Sequence, residues 1–450
     1  MSAPNDNQRG LWGSRMGFVL AASGSAIGLG NVWKFPYIVG ENGGGAFVLV
    51  YLVCIFVVGL PIMLAEFTLG RKTNLNPVGA FKALQPNSPW VGVGYMGVLA
   101  GFLILSFYGV VGGWTLAYIV KSFSHSILEF QSPKDAGQFF NQFIANPTEV
   151  LAYHALFMGL CLAIVIKGVH GGIEKACSIL MPTMVVILLV LMVRSLTLPG
   201  AMAGVEFYLY PDFSKITPSV VLTALGHAFF SLSLGMGAML TYGSYLPDKE
   251  NLTSATVYVV LFDTMIALLV GMVIFPAVFA MGLEPAEGPG LVFNVLPAVF
   301  SAMPFGNIAS IIFFVLLAIA AITSGISLLE VVVSYFIDQL GWARKKAVLI
   351  VGGIIFALGV PSGLSFGVMS DVKFMDKTFF DIVDNIASNY LLPLGGMLTA
   401  IFVGWKWGIV KAQEEIERHE TRFHWAEQWG FLIRFVTPVA VAVVFCAKIF

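Results

Sequence analysis

The residues of this chain that could bind ions and a small charged ligand lie in two apolar segments interrupted by glycine. Residues 22–31 read ASGSAIGLGN, and residues 229–237 read FFSLSLGMG. If the chain unwinds there, the freed carbonyl groups suit a hard cation such as sodium, and N–H groups at a helix N-terminus suit a carboxylate. The two segments therefore predict a site for an anionic group beside cations. Close helix packing on Gly24 and Gly28 is the alternative, but it leaves Asn31 in an apolar run without a partner.

A lone carboxylate, Asp263, lies in the apolar run VVLFDTMIALLV. Ionisable residues within membrane segments are rare and usually functional, so Asp263 is a candidate for offsetting the charge of bound cations. An interfacial or protonated Asp is the alternative. Thr323 and Ser324 offer hydroxyl groups in another apolar run. Hydroxyl side chains in such helices usually bond to the preceding turn, so these two residues alone do not indicate an ion site.

The composition indicates which elements must position these residues. Of the 450 residues, 58% are hydrophobic and 11% are charged, and the net charge is −1, with a mean hydropathy of +0.87. Soluble domains carry roughly 25% charged residues, so a soluble enzyme and a disordered scaffold are excluded. A nucleic-acid binder is excluded because it needs a basic surface.

Runs of about 20 apolar residues can each cross a bilayer. They predict eleven helices, at 16–39, 46–70, 91–123, 150–167, 176–197, 219–243, 255–282, 307–337, 347–362, 379–405 and 429–449. The chain is thus predicted to be an all-α polytopic membrane protein.

The interruptions in the first and sixth runs divide the chain into two comparable halves. Glycine-interrupted segments at corresponding places are typical of transporters built from inverted repeats. Most of the 24 Lys and Arg residues fall on the side of the N-terminus, which predicts a cytoplasmic N-terminus and an extracellular C-terminus in the cell membrane. The predicted organisation is an N-terminal segment (1–14), a first repeat (15–197), an extracellular loop (198–218), a second repeat (219–406), a cytoplasmic connector (407–428) and an eleventh helix (429–450).

Two motifs resemble those of the neurotransmitter:sodium symporter family. The first is GLGNVWKFPY at residues 28–37 with ENGGGAF at residues 41–47, and the second is SLSLGMG at residues 231–237. The likeness runs from about Arg9 to the C-terminus, and the count of eleven helices favours the bacterial amino-acid branch. The resemblance implies the LeuT fold, a 5+5 inverted repeat in which helices 1 and 6 are broken. It also implies a sodium-coupled symporter that works by alternating access.

The resemblance implies two sodium sites. Sodium site one takes the Ala26 carbonyl, the Asn31 amide oxygen, the Ser231 hydroxyl, Asp263 and the substrate carboxylate. Sodium site two takes the carbonyls of Gly24, Ile27 and Ala320 and the hydroxyls of Thr323 and Ser324. Many relatives have Asn at the position of Asp263, and the chloride-linked position of the family falls on Ala267, which offers neither hydroxyl nor charge. We therefore expect chloride independence, with Asp263 supplying the negative charge.

The resemblance also implies the substrate. Gly28 stands where monoamine transporters carry Asp, which leaves room for the substrate's own carboxylate, and Tyr108 matches the tyrosine that holds it. The implied substrate-binding residues are Ala26, Gly28, Gly30, Ile104, Tyr108, Phe230, Ser231, Ser233, Met236, Ser324 and Leu328. Methionine is flexible, so Met236 lets an apolar pocket adapt to guests of several sizes. We expect large neutral L-amino acids, namely Leu, Ile, Val, Met, Phe, Tyr and Trp.

Gates on both sides of the site follow from the same resemblance. Outside, Lys34 is expected to pair with Asp384, three residues after Asp381, while Phe230 and Tyr108 form a lid over the substrate. Inside, the implied gate residues are Arg9, Trp12, Tyr245 and Asp338, with Arg9 paired to Asp338 and Tyr245 bracing the pair. Without the family, each of these charges would be interpreted as an ordinary interfacial charge.

Two further residues have expected roles in motion. By the same resemblance, Glu66 is expected to hydrogen-bond to the unwound sixth helix, with a snorkelling interfacial carboxylate as the alternative. Pro182 lies ten residues after Gly172 in the fifth helix, and proline weakens the turn before it. Residues 172–182 could therefore unwind to admit water to Thr323, or the proline could form a static kink.

Other functions are less well supported. A channel needs a continuous polar pore, whereas the polar groups cluster at one depth. A membrane enzyme needs a nucleophile–base pair or a metal motif, and the six His are scattered; His227 in the sixth helix is interpreted as a packing and hydrogen-bonding residue. The four Cys lie in apolar runs and predict neither a disulfide nor a metal cluster. A non-transporting amino-acid receptor of the same fold stays open, as does the oligomeric state.

Overall fold

The computed structural model describes residues 10–126, 130, 132–283, 291–418 and 422–449. Within these ranges the chain is helical, and the only β-type pairing is two isolated bridges, Gly44 with Pro211 and Phe374 with Lys377. Nine described helices are long and apolar enough to cross a membrane, and a bent pair makes a tenth. A shorter broken helix completes eleven, so the predicted all-α architecture with eleven spans is confirmed.

We number the spans in chain order. The first is the bent pair Arg15–Ala26 and Gly30–Glu41, and the sixth is the broken pair Pro218–Ser231 and Ala238–Gly243. The second to fifth are Gly45–Thr73, Val91–Phe123, Pro147–Val165 and Val169–Leu196, and the seventh to eleventh are Leu252–Ala280, Gly306–Leu340, Arg344–Leu364, Phe379–Ile416 and Ala426–Ala447. Shorter helices on the connections are Pro77–Leu84, Pro133–Ala145, Ala201–Leu209, Phe213–Lys215 and Val295–Ala302.

Both predicted breaks are present. The two halves of the first span meet at an angle of 47°, and the backbone turns extended at Ile27. The sixth span loses its helix over residues 232–237, where Gly235 and Gly237 have φ values of 76° and 75°. Glycine adopts such values at little cost. Ser233 also has a positive φ of 53°, and its hydroxyl donates a 2.8 Å hydrogen bond to the Ser25 carbonyl, which holds the two breaks together.

The broken spans lie inside a frame of continuous helices. The third and eighth spans are the most buried of the long helices, whereas the fifth and eleventh are the least buried. The third and eighth spans also pack against each other. Because irregular backbone is tolerated at membrane depth only where protein or a polar cavity surrounds it, this arrangement explains why the breaks lie at the centre.

The tenth span extends further than its hydropathy predicts. It ends at Ile416 rather than near residue 406, because its last turns bury one face, including Ile409 and Ala412. The same face carries Glu415, whose carboxylate pairs with the buried Arg71 at 3.0 Å. Gly408, with a φ of 101°, turns the backbone between the apolar run and the charged helix Ile409–Ile416, and the buried ion pair holds that helix against the second span.

The fifth span is helical throughout. Residues Val169–Glu174 form a π-helical turn, and Lys175–Leu196 form an α-helix with Pro182 inside it. The Thr183 hydroxyl donates a 2.8 Å hydrogen bond to the Ile179 carbonyl beside the proline. The unwinding predicted for residues 172–182 would therefore require a conformational change from the helical state seen here.

Candidate functional site

A small cavity lies where the two broken spans meet. Its volume is about 20 Å³, and its lining comes from the first, third, sixth and eighth spans. Ten of the predicted substrate-binding residues line it, namely Ala26, Gly28, Gly30, Ile104, Tyr108, Phe230, Ser233, Met236, Ser324 and Leu328, together with Ser25 and Leu29, which the sequence did not predict. Ser231 is not part of this lining.

One end of the cavity is polar and sterically tight. A Cβ atom on Gly28 would lie 2.3 Å from Ser324 Oγ and 2.9 Å from the Tyr108 hydroxyl oxygen. The same Tyr108 oxygen accepts a 3.2 Å hydrogen bond from the Leu29 N–H. The hydroxyl proton of Tyr108 is thus directed away from this donor and can serve an anionic group. The position of Gly28 has no room for a side chain.

The rest of the cavity wall is apolar, with hydroxyls along one edge. Ile104, Met236 and Leu328 are buried hydrophobic residues. The Phe230 ring lies against Gly30, where an added Cβ would come within 3.0 Å of it. At the polar edge the Ser25 carbonyl accepts a 3.0 Å hydrogen bond from Ser324 Oγ. This lining favours an apolar guest with a charged group at one end.

The buried carboxylate Asp263 lies behind the cavity. Its Oδ1 accepts a 2.8 Å hydrogen bond from Asn31 Nδ2, and its Oδ2 accepts a 3.1 Å bond from Ser231 Oγ. Asn31, Ser231 and Asp263 are completely buried. The structure therefore brings together three side chains of the predicted sodium site one, and the Ser231 hydroxyl faces Asp263.

Tyr51 joins this cluster, although the sequence analysis did not find it. Its hydroxyl donates a 2.9 Å hydrogen bond to Ser231 Oγ, and the whole residue is buried. A buried tyrosine usually finds a partner for its O–H. A phenol within the apolar second span was therefore an available signal, but its partner could not be read from the sequence.

The predicted oxygens of sodium site two also lie together. Thr323 Oγ1 is 3.1 Å from the Ala320 carbonyl oxygen and 3.5 Å from that of Ile27. Ser324 Oγ is 3.4 Å from the Gly24 carbonyl oxygen. The two hydroxyls of the eighth span thus bridge to the broken first span, and the arrangement offers carbonyl and hydroxyl oxygens of the kind that a hard cation takes.

A larger cavity, the vestibule, opens on the other side of Phe230. Its volume is about 380 Å³, and it shares Leu29, Tyr108 and Phe230 with the small cavity. Tyr108 and Phe230 therefore separate the two spaces, as expected of a lid. Among the residues that line the vestibule are Trp33, Lys34, Tyr37, Asn141, Asp381 and Asp384.

The predicted outer ion pair is not formed. Lys34 Nζ lies 4.5 Å from the centre of the Phe230 ring, and Asp384 accepts a 2.7 Å hydrogen bond from Ser388. Both side chains belong to the described part of the chain, and no ion pair joins them. Lys34 instead makes a cation–π contact with the ring of Phe230. Asp381 accepts from Thr378 at the start of the tenth span.

The opposite side of the protein is closed by the N-terminal segment. Trp12 is buried, and its Nε1 donates a 2.9 Å hydrogen bond to the Tyr242 carbonyl. Its backbone N–H donates to the Tyr245 carbonyl at 3.2 Å. Asp338 accepts hydrogen bonds from both the backbone and the side chain of Asn76. Arg9, its predicted partner, lies outside the described residues.

Two charged residues on this side were not predicted. The Tyr245 hydroxyl donates a 2.6 Å hydrogen bond to Glu330, and Glu330 pairs with Arg344 at 2.7 Å. Glu330 is completely buried. A carboxylate in the apolar run SLLEVVV is the same signal that singled out Asp263, so Glu330 could have been found in the same way.

The structure also bears on the expectations for Glu66 and His227. Glu66 Oε1 accepts a 2.8 Å hydrogen bond from the Gly235 N–H, which confirms its contact with the unwound sixth span. His227 is buried and stacks on Phe35, which confirms its packing role. Neither ring nitrogen of His227 has a hydrogen-bond partner among the described residues, so its hydrogen-bonding role stays a prediction.

Three kinds of comparison with known proteins, by family model, by sequence and by structure, agree with one another. Residues 9–136 and 135–450 match the model of the sodium:neurotransmitter symporter family. A sodium-dependent transporter of Bacillus subtilis, YhdH, is 44% identical over 437 residues, which cover 96% of each chain. A sodium- and chloride-dependent GABA transporter 2 of mouse is 27% identical and covers 91% of this chain and 75% of its own. Among solved structures, MhsT in complex with L-phenylalanine superposes with a TM-score of 0.90 at 49% identity, covering 98% of this chain and 99% of that one.

Proposed function

Because this chain belongs to the sodium:neurotransmitter symporter family, we propose that it imports large neutral L-amino acids together with sodium ions. It is a multi-pass membrane protein with the LeuT fold and a sodium-dependent transporter, not an enzyme. The observation that carries the substrate proposal is the lining of the small cavity between the two broken spans, which has an apolar wall and a polar end at Gly28, Tyr108 and Ser324.

The proposed substrate enters with its carboxylate towards Gly28 and Tyr108. In this state Ser324 Oγ and the Tyr108 hydroxyl fill the space beside Gly28, so both must move aside for the carboxylate. The Tyr108 hydroxyl then donates to the carboxylate, since the same oxygen already accepts from Leu29. The apolar wall takes the side chain, and Met236 adapts to its size. No charged side chain lines the small cavity, so acidic and basic amino acids lack a partner. The similar protein MhsT was solved with L-phenylalanine, which supports this class of substrate.

We propose two sodium ions. The first would bind at Ala26, Asn31, Ser231 and Asp263 beside the substrate carboxylate, and the second at Gly24, Ile27, Ala320, Thr323 and Ser324. Each elementary charge that moves through 100 mV yields about 2.3 kcal/mol. Two ions would thus yield about 4.6 kcal/mol from the potential alone, enough for over a thousandfold accumulation of a neutral zwitterion.

Chloride is not required in this proposal. Asp263 supplies a fixed or proton-exchangeable negative charge beside sodium site one, and Ala267 one turn later offers no ligand for an anion. The bacterial relative is named for sodium alone, whereas the mouse relative is named for sodium and chloride. This contrast supports charge compensation by the protein.

Alternating access would use the two closures around the site. With the N-terminus in the cytoplasm and the C-terminus outside, the vestibule faces outward, and Phe230 and Tyr108 lie between it and the substrate. Trp12, Tyr245, Asp338 and Arg9 would close the cytoplasmic side. Lys34 and Asp384, which are apart in this state, would approach when the vestibule closes.

Uptake of radiolabelled leucine or tryptophan into proteoliposomes tests the proposal. A sodium gradient should drive accumulation, and replacement of chloride by gluconate should leave the rate unchanged. Better competition by glycine or glutamate than by leucine would contradict the substrate class, and collapse of uptake without chloride would contradict charge compensation. The alternative, a receptor of the same fold, predicts sodium-dependent binding without uptake.

A further inference from the structure

Glu174, at the start of the fifth span, has no role in the site described above, yet it makes a dense set of hydrogen bonds. Its Oε2 accepts from the Gly13 N–H at 2.7 Å and lies 2.8 Å from His170 Nδ1. Its Oε1 accepts from Ser14 Oγ at 2.9 Å. The side chain is only 7% exposed. Two of its three partners thus belong to the N-terminal segment rather than to the fifth span.

The contact with Ser14 also reaches the first span itself. Ser14 Oγ accepts a 2.9 Å hydrogen bond from the Gly17 N–H, and Ser14 is the N-cap of this helix. A hydroxyl group has one proton, so donation to Glu174 directs its lone pairs towards Gly17. Glu174 therefore orients the cap that begins the first span.

The close contact of the N-terminal segment and the first span with Glu174 and His170 requires glycine at residues 13 and 17. A Cβ on Gly17 would lie 2.0 Å from Glu174 Oε1, and a Cβ on Gly13 would lie 2.3 Å from the His170 ring. A side chain at either position would displace the Glu174 carboxylate or the His170 ring. Glycine at residues 13 and 17, opposite His170 and Glu174, therefore allows the first and fifth spans to approach closely. We call this contact the seam.

The same face of the fifth span covers sodium site two. Cys177 and Met181 follow Glu174 by three and seven residues, a helical spacing that places all three on one face. A Cβ on Gly24 would lie 3.1 Å from Met181 Sδ and 3.5 Å from Cys177 Sγ. Water from the cytoplasm can reach the Gly24 carbonyl along this seam only if the first and fifth spans separate.

We propose that Glu174 is a positioning residue that latches the inner half of the first span to the fifth span and so controls when sodium site two opens inward. This role rests on the proposed transport function. The hydrogen bonds from Gly13 and Ser14 cross the seam directly, and they must break before Cys177 and Met181 can move away from Gly24. Bonds to a carboxylate are stronger than those between neutral groups, so the latch keeps sodium site two closed to the cytoplasm until these bonds break.

Labelling of Cys177 with N-ethylmaleimide tests the latch. The chain has four free cysteines, so replacement of Cys54, Cys161 and Cys446 by Ala leaves Cys177 as the single thiol. In this background Glu174→Gln should raise the labelling rate in sodium about tenfold, because the bonds from Gly13 and Ser14 both lose their charged acceptor. Glu174→Asp, which keeps the charge, should restore part of the slow labelling.

Glu149→Gln is the matched control, since Glu149 pairs with Lys121 at the start of the fourth span and is 41% exposed. It should label as slowly as the parent. If Glu174→Gln does not fold, Gly17→Ala displaces the same carboxylate and should also speed labelling. Sodium-dependent uptake by the parent is measured in parallel. Absence of that uptake would count against the transport function, whereas normal uptake with unchanged Cys177 labelling in both variants would overturn the latch.

Discussion

Asn31 Nδ2 donates a 2.8 Å hydrogen bond to Asp263 Oδ1, which joins the broken first span to the seventh span in a completely buried position. The carboxylate would be costly there without a counter-charge, because desolvation of an ion is only partly offset by neutral hydrogen bonds. A sodium ion beside the Asn31 amide would supply that counter-charge. Substitution of Asp263 therefore tests directly whether this pair binds sodium.

Asp263→Asn should weaken sodium binding. The change keeps the shape of the side chain and removes its negative charge, so the sodium concentration for half-maximal leucine binding should rise at least about tenfold. Scintillation proximity binding over a sodium titration measures this. The exposed Asp212, in a surface loop, provides the control Asp212→Asn, which should behave as wild type. An unchanged sodium titration in Asp263→Asn would exclude Asp263 from sodium site one.

Gly28→Ala should weaken substrate binding about tenfold or more. The added methyl group would collide with Ser324 Oγ and the Tyr108 hydroxyl, and overpacking of this kind costs about 1–3 kcal/mol, or about tenfold or more in affinity. Equilibrium binding of leucine gives the readout. Gly159→Ala, where an added Cβ meets nothing within 4 Å, should leave binding intact. Wild-type affinity in Gly28→Ala would mean that the carboxylate lies elsewhere.

Tyr108→Phe should lower affinity for amino acids while preserving the fold. It removes the proposed donor to the carboxylate, and a hydrogen bond to a charged group contributes about 1.5–3 kcal/mol, or roughly 10–100-fold. The KM for uptake and the binding affinity should both change by this factor. Tyr210→Phe, at an exposed tyrosine, is the matched control. A Tyr108→Phe protein with a normal KM would remove this residue from the site.

Pro182→Ala should slow transport and leave binding from outside unaffected. Alanine restores the missing backbone donor and strengthens the turn, so unwinding of residues 172–182 becomes harder and turnover should fall about fivefold. Uptake rate and leucine binding are compared in the same preparation. Pro361→Ala, within the ninth span, controls for removal of a proline. Normal turnover of a well-expressed Pro182→Ala protein would favour a static kink.

Most of the fold could be predicted from local properties of the chain. Hydropathy predicts the eleven spans, because each apolar run must bury itself in lipid or protein regardless of its neighbours. The breaks near Gly28 and Gly235 are equally local, since glycine and small polar residues interrupt an apolar helix wherever they occur. The packing of the last helix of the tenth span, Ile409–Ile416, could not be predicted locally, because it includes the pairing of Glu415 with Arg71, which are far apart in sequence.

Residue types along the chain determined that this protein spans a membrane, breaks two helices at corresponding places and carries a buried carboxylate at residue 263. Only the tertiary structure decided which groups meet. It directed the Ser231 hydroxyl towards Asp263 and Tyr51, set Lys34 over the Phe230 ring, and brought Glu174 to Gly13 and Ser14. The physical reason is that burial and backbone freedom are properties of single segments, whereas hydrogen bonds and ion pairs depend on distances of a few ångström between segments distant in sequence.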